Sequence, residues 1–175
     1  SIFEIFIFFT KKFLFKICGF GISSESEYII KSSGFAAAMW AHVYLAMTHL
    51  NAEGSESIKQ NYLTASINGD KIGALCITEP FGGSDVAGMR TTAVQSGDKY
   101  IINGSKTFIT NGVYADYYIV AAKTSPELGN KGISIFLMDT NLKGISIFNK
   151  GVFIFERYIL LFMQQDSFSI LQAIL

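Results

Sequence analysis

The apolar positions change period partway along the 175-residue chain. From Glu25 to about Asn51 they recur at three- and four-residue steps, at Ala36, Trp40, Val43, Met47 and Leu50. That spacing predicts an amphipathic helix with these side chains on one buried stripe. Gly54 reads as its stop, and Ser55 as the cap of a second short helix through Ile58, Tyr62 and Leu63. Asn68-Gly69-Asp70 then breaks the helical period. Beyond it come short apolar or Thr/Val-rich runs at 72–78, 91–95, 100–102, 106–110, 117–124, 133–138 and 144–148. Turn chemistry bounds each run: Ser96-Gly97-Asp98, Asn103-Gly104, Asn111-Gly112, Gly129-Asn130 and Asn141. Strands at such spacing predict an antiparallel barrel or sandwich. No helix-length pattern separates consecutive strands, which argues against a doubly wound parallel sheet. The expected class is α+β, a helical segment followed by an antiparallel β-barrel domain.

Composition alters this picture only at the ends. Half the residues are hydrophobic and 16% are charged, against about 25% charged in typical soluble domains. Disorder is excluded, because low hydrophobicity and high net charge are both missing. Lys plus Arg and Asp plus Glu are 14 each, so no basic excess points to nucleic acid or to an anionic membrane. Of 16 Phe, seven lie in 1–20 and five in 148–175, leaving Phe35, Phe81, Phe108 and Phe136 between. Glu4, Lys11, Lys12 and Lys16 interrupt the first oily run, and a bilayer span needs about 20 mostly apolar residues. The positive charges follow the apolar stretch, the reverse of a signal peptide. Lys150, Glu156, Arg157 and Asp166 interrupt the tail in the same way. The expected division is an atypical Phe-rich segment at 1–24, the end of a helical domain at 25–71, a β domain at 72–147 and an atypical tail at 148–175. No membrane span is expected. Cys18 and Cys76 are too few for a disulfide framework and match no metal motif, which suits a reducing compartment.

Two stretches carry candidate chemistry. In Leu75-Cys76-Ile77-Thr78-Glu79-Pro80-Phe81-Gly82-Gly83-Ser84-Asp85 a buried-type strand runs into Pro, two glycines and small polar residues. Such a loop exposes backbone N–H groups with no side chain blocking approach, and can hold a phosphate or the edge of a heteroaromatic ring. Its spacing is equally that of an ordinary strand connection, and it is neither a Walker loop nor a Rossmann fingerprint. The second stretch, 103–112, reads as a turn, a short strand and another turn. Strand alternation would put Phe108 and Thr110 on one side, an aromatic face beside a hydroxyl, or simply a cross-strand packing pair. His42 and His49 are seven residues apart on a helix, about 10 Å along its axis and too far to share a metal. They are expected to be satisfied or surface side chains. Lys106, Arg90 and Lys99 could draw anionic phosphates or be scattered surface charge. Glu79 and Asp85 are expected to be structural or solvated.

Taken together, the motifs resemble those of the acyl-CoA dehydrogenases. The resemblance rests on Ile77-Thr78-Glu79-Pro80 with Gly83-Ser84-Asp85, then on Tyr100-Ile101-Ile102-Asn103-Gly104-Ser105-Lys106 with Phe108-Ile109-Thr110-Asn111-Gly112 and Ala115-Asp116. Ala41-His42 and Gly54-Ser55-Glu56 lie upstream in family order, and Lys131-Gly132-Ile133-Ser134 and Lys143-Gly144-Ile145 downstream. It covers roughly 34–147. It implies a helical domain, a middle β-barrel and a C-terminal helical bundle, the last of which has no counterpart here. It further implies FAD against the β domain, with Leu75, Ile77 and Thr78 at the flavin's pyrimidine end and Gly83 beside them. Ser84 would touch both cofactor and acyl-CoA. Phe108 would cover a flavin face, with Ile109 between it and Thr110 near flavin N5. Phe108 stands where the family often has Trp, and lacks the indole donor.

The implied reaction oxidises acyl-CoA to 2,3-enoyl-CoA, with a carboxylate base that most of the family takes from the bundle. No base is therefore nominated here, and this chain alone is expected to be inactive. Electron-transfer flavoprotein as acceptor, a homotetramer, and a bacterial cytoplasm or mitochondrial matrix belong to the same implication for the parent protein. An acyl-CoA oxidase fragment and a non-catalytic β interaction module are the competing readings.

Overall fold

The computed structural model describes residues 33–142, 144–148 and 152–160. The segment 1–24, with Cys18, lies outside the described residues, as does the tail beyond 160. Helix α1 (Ser33–Trp40), a π-helical turn (Ala41–Ala46) and α2 (Met47–Glu53) run on as one continuous helix. It ends at Gly54, whose N–H bonds back to the Leu50 carbonyl. A second run follows, α3 (Glu56–Ile58), a π turn (Lys59–Leu63) and α4 (Thr64–Ile67). Ser55 caps it as expected, accepting from the Ile58 N–H at 3.3 Å.

The buried stripe of the first helix is not the predicted one. Phe35, Met39, His42, Ala46, His49 and Leu50 face inward, whereas Trp40 is 57% exposed. The period is right and Leu50 is buried as expected, but the rest of the face is rotated by one residue. Both histidines read as polar positions, so the stripe that contains them is passed over in a hydrophobic count.

Among the described residues seven strands form one mixed sheet: β1 (Gly73–Cys76), β2 (Thr92–Ser96), β3 (Lys99–Thr107), β4 (Tyr117–Lys123), β5 (Ile133–Asp139), β6 (Ile145–Phe148) and β7 (Val152–Leu160). The order is β1-β4-β2-β3-β7-β6, with β5 on the other side of β4. The α+β class holds. The all-antiparallel barrel is corrected to an open sheet, because β1 and β2 both run parallel to β4. The β2–β3 hairpin and its flanking loops form a connection long enough to carry the chain from β1 back alongside it, as a parallel pair requires.

Asn103-Gly104 is not a turn either. It lies inside β3, where the register against β7 slips between Ile102 and Gly104. Gly104 has φ +157, and a Cβ there would meet the Thr91 hydroxyl, so the glycine marks a bulge at a close backbone approach. β7 takes its place from the part of the tail that the family pattern does not reach.

β4 is buried on both faces, which explains its continuous apolar sequence. Tyr117, Ile119 and Ala121 pack with Ala46, Leu50, Ile133, Ile135 and Leu137 under the helices. Tyr118, Val120 and Ala122 pack with Ala74, Cys76, Ala93, Ile102, Phe136 and Met138 on the opposite face. Burial pushes the Cys76 thiol up to about 12, which keeps it an inert thiol rather than a nucleophile.

Candidate functional site

β1 and β2 share one edge of β4 without touching each other end to end. β1 pairs with it from Gly73↔Tyr117 to Cys76↔Val120, and β2 joins only at Thr92↔Lys123. Between them the sheet forks. The chain leaving β1 there turns through Thr78, Glu79 and Pro80, closing a small bridge from Glu79 to Gly82. β3 ends at Thr107 in the same place, where the Thr107 N–H donates to the Thr78 carbonyl at 2.8 Å.

A buried ion pair fills the fork. The Lys106 ammonium donates to Glu79 Oε1 at 2.9 Å and to the Ile77 carbonyl at 3.0 Å. Glu79 also accepts from the N–H of Arg90 at 2.7 Å, the N–H of Thr91 at 2.9 Å and the Thr91 hydroxyl. The Lys106 side chain is 0% exposed and that of Glu79 5%. Burial alone would raise the Glu79 carboxyl, but donors from Thr91, Lys106 and Arg90 hold it below the ordinary carboxylate range. Burial depresses the Lys106 ammonium, and Glu79 opposes that shift. Lys106 therefore cannot reach a phosphate in solvent, nor is it surface charge, the two roles expected for it. Glu79 proves structural, as expected.

The loops on either side of this pair enclose one open groove of about 370 Å³. Its walls are Leu75, Ile77 and Thr78 from the end of β1, Gly83 and Ser84 from the glycine loop, Phe108, Ile109 and Thr110 from the turn after β3, and Ala41 and Leu45 from the helix. All eight residues singled out in the sequence thus meet in one place. Ala41 and Leu45 were missed; they stand four apart on the helix, and only the fold shows which face meets the sheet.

Phe108 and Thr110 do not share a strand face. Strand geometry stops at Thr107, and Phe108 has φ +55 and Asn111 φ +67. Period-two alternation does not apply to such a turn; the left-handed residue re-aims the chain instead. Phe108 is 86% exposed while Ile109 is buried as the plug of the turn. A bulky residue at positive φ is strained backbone, and an exposed ring recovers none of that strain by packing in the core. Asn111 steadies the turn, its side-chain amide donating to the Ala38 carbonyl at 2.8 Å.

The helix side is tied down by His42. Both histidines are 0% exposed, which excludes the surface alternative for them. His42 Nδ1 accepts from the Gly73 N–H at 2.9 Å, across 31 residues of sequence. His49 Nδ1 donates to the Leu45 carbonyl at 2.6 Å, and its Nε2 is buried without a hydrogen-bond partner. Burial depresses its pKa, against the Leu45 hydrogen bond and the Glu53 charge.

What the groove can do follows from its lining. Its apolar walls offer a surface for a flat ring, and three hydroxyls, of Thr78, Ser84 and Thr110, offer hydrogen bonds to a polar edge. Gly83 keeps one wall low: a Cβ there would press on the Thr78 side chain at 3.2 Å. The two nearby carboxylates differ in how they are engaged. Glu79 is buried and fully engaged, and Asp85 caps a short 3-10 turn (Val86–Gly88) through the Gly88 N–H at 3.0 Å.

Comparison with known proteins places this architecture. Residues 74–151 match the acyl-CoA dehydrogenase middle domain. That match spans a little under half of the chain, and the relatives and solved structures similar to it include acyl-CoA dehydrogenases. It is 47% identical over 107 residues to the short-chain-specific acyl-CoA dehydrogenase of Clostridium acetobutylicum, a match covering 61% of this chain and 28% of that protein. It superimposes on butyryl-CoA dehydrogenase from Megasphaera elsdenii with a TM-score of 0.75 at 31% identity, covering 80% of this chain and 41% of that one. The FAD complex of PigA aligns with a TM-score of 0.68 at 33% identity, over 75% of this chain and 37% of PigA. The chain therefore spans less than half the length of each of these proteins. Among its described residues no helix is long and apolar enough to cross a membrane.

Proposed function

We propose that the groove is the flavin-facing half of an acyl-CoA dehydrogenase site and that the protein takes part in oxidising an acyl-CoA to its 2,3-enoyl-CoA. The observation that supports this most is the convergence of both sequence motifs, 75–84 and 108–110, on one open groove. The residues present fit FAD. Phe108 offers a flat apolar face that the protein itself leaves uncovered. Thr78, Ser84 and Thr110 supply hydroxyls at the rim, and alternation along β1 puts the Leu75 N–H on the same strand edge as the Gly73 N–H. FAD bound there would supply the two-electron acceptor, while the chain supplies placement and electrostatics.

In this reading Ile77, Thr78 and Thr110 orient the cofactor's polar edge, and Ser84 stands where cofactor and acyl thioester meet. Ala41, Leu45 and Leu75 exclude water. Removing a proton next to the thioester needs a positioned carboxylate. Glu79 is spent on the buried ion pair and Asp85 caps the turn at Val86–Gly88; in this reading the base belongs to sequence corresponding to the remainder of the longer relatives, and residues 1–175 alone bind flavin without turning over. Electron-transfer flavoprotein as acceptor and a tetrameric parent belong to the same proposal.

Titrating FAD with the purified chain tests it. Quenching of flavin fluorescence with a shifted, structured absorbance band supports the reading; unchanged flavin spectra at protein concentrations up to about 100 μM reject it.

A further inference from the structure

The buried ion pair has no place in the proposed chemistry, yet it joins the two halves of the groove. Lys106 precedes Thr107, whose N–H is bonded to the Thr78 carbonyl, and Phe108 follows directly. Glu79 follows Thr78, and the Lys106 ammonium also holds the Ile77 carbonyl. Within the motif 77–79 every residue is therefore tied to 106–107, the two residues that launch the turn carrying Phe108, Ile109 and Thr110. The remaining partners of the Glu79 carboxylate are the N–H groups of Arg90 and Thr91 and the Thr91 hydroxyl, which close the glycine loop from its far end.

A buried pair of charges is by itself weak evidence for stability, since apolar replacements are often neutral. This pair differs in that its partners are largely backbone groups. Apolar side chains would leave the Ile77 carbonyl and the N–H groups of Arg90 and Thr91 buried and unpaired. The fork between β1 and β2 has no strand ladder to satisfy them, so the two side chains substitute for a missing strand.

We infer that Glu79 and Lys106 are positioning residues that hold the β1 loop and the Phe108 turn in register, so that the groove keeps the separation its ligand needs. This rests on the flavin reading for the identity of the ligand, but not for the register of the loops. Neither residue touches the groove itself, so the effect on a ligand is transmitted through Ile77, Thr78 and Thr107.

The test uses the 175-residue chain and two variants. E79Q/K106M removes both charges at similar volume, and the milder Thr91→Val removes one hydroxyl donor without burying a charge. Two readouts are taken: the FAD dissociation constant by fluorescence quenching, and hydrogen exchange of the Thr107 amide in the chain without FAD. Positioning predicts a dissociation constant at least tenfold higher for E79Q/K106M and about threefold higher for Thr91→Val. It also predicts faster Thr107 exchange in both, with near-ultraviolet circular dichroism retained. A folded E79Q/K106M that binds FAD like the wild type overturns the inference. If that variant does not fold, Thr91→Val decides: unchanged binding and unchanged Thr107 exchange overturn it. If the wild type itself leaves FAD unquenched, the flavin reading fails separately, and Thr107 exchange alone then carries or overturns the register claim.

Discussion

Phe108 concentrates the conflict between folding and function at a single residue. A left-handed conformation costs a side chain with a Cβ about 1–2 kcal/mol, and an exposed ring recovers none of that by packing. Phe108→Gly should therefore be neutral to stabilising by up to about 1 kcal/mol, after allowing for the extra freedom glycine gives the unfolded chain. It should also weaken FAD binding by about tenfold. Thermal melting and flavin titration of one preparation check both; a clear loss of stability would show that the ring packs against the protein.

His49 makes the opposite kind of prediction, about pH. Its folded pKa lies below the unfolded value of 6.5 because the site is buried. A depressed folded pKa means stability that is present above pH 6.5 and is lost as pH falls, by up to about 1.4 kcal/mol per pH unit. His49→Leu should flatten the limb between pH 6.5 and 5 in urea midpoints, and gain on the wild type as pH falls. Glu79 acts lower: with its folded pKa below the carboxylate range, its contribution is lost only below about pH 4.3. An unchanged slope between pH 6.5 and 5 in His49→Leu would assign that limb to another group.

At the scale of elements, what docks the second helical run onto the sheet is a polar contact inside an apolar layer. Ser66 and Tyr117 hydroxyls meet at 2.9 Å, both buried, and Tyr117 also packs edge-on against Tyr62. Its ring in turn fills the space that a Cβ at Gly73 would need, at 2.3 Å. Ser66→Ala strands one hydroxyl and should cost about 1–3 kcal/mol. Gly73→Ala forces the ring itself to move and should cost more than Ser66→Ala in the same denaturant series; the reverse order would mean that the ring shifts freely.

The same elements show what a sequence can and cannot convey. Strand positions were legible because β-branched runs and turn residues are local signals; Ser96-Gly97-Asp98 does close a hairpin, with Ser96 opposite Lys99. Parallel pairing of β1 with β4 was not, because it depends on where a forty-residue connection returns. The bulge at Gly104 carried the same Asn-Gly letters as a turn, and only the neighbouring Thr91 distinguishes them. Lys106 looked like any strand lysine until the fork around it was seen.

For the whole molecule, the groove is legible in outline, since its motifs are contiguous stretches that share one family resemblance and line one groove. What the sequence could not supply is the helix wall at Ala41 and Leu45, or the brace that sets the loops' separation. The oiliness that dominates the composition lies largely outside the described core, and the four central Phe residues divide cleanly. Phe35 and Phe136 are buried in packing, whereas Phe81 and Phe108 are exposed, with Arg90 lying over the Phe81 ring at 4.1 Å. Only Phe108 faces the groove.

Mapping FAD onto the isotope-labelled chain by amide chemical-shift perturbation tests the central claim most directly. Perturbations should cluster at Leu75, Ile77, Thr78, Gly83, Ser84 and 108–110, and leave the Gly97-Asp98 hairpin tip at the far end of β2 and β3 unmoved. Saturable binding whose shifts fall elsewhere, or shifts spread evenly over the surface, would contradict it.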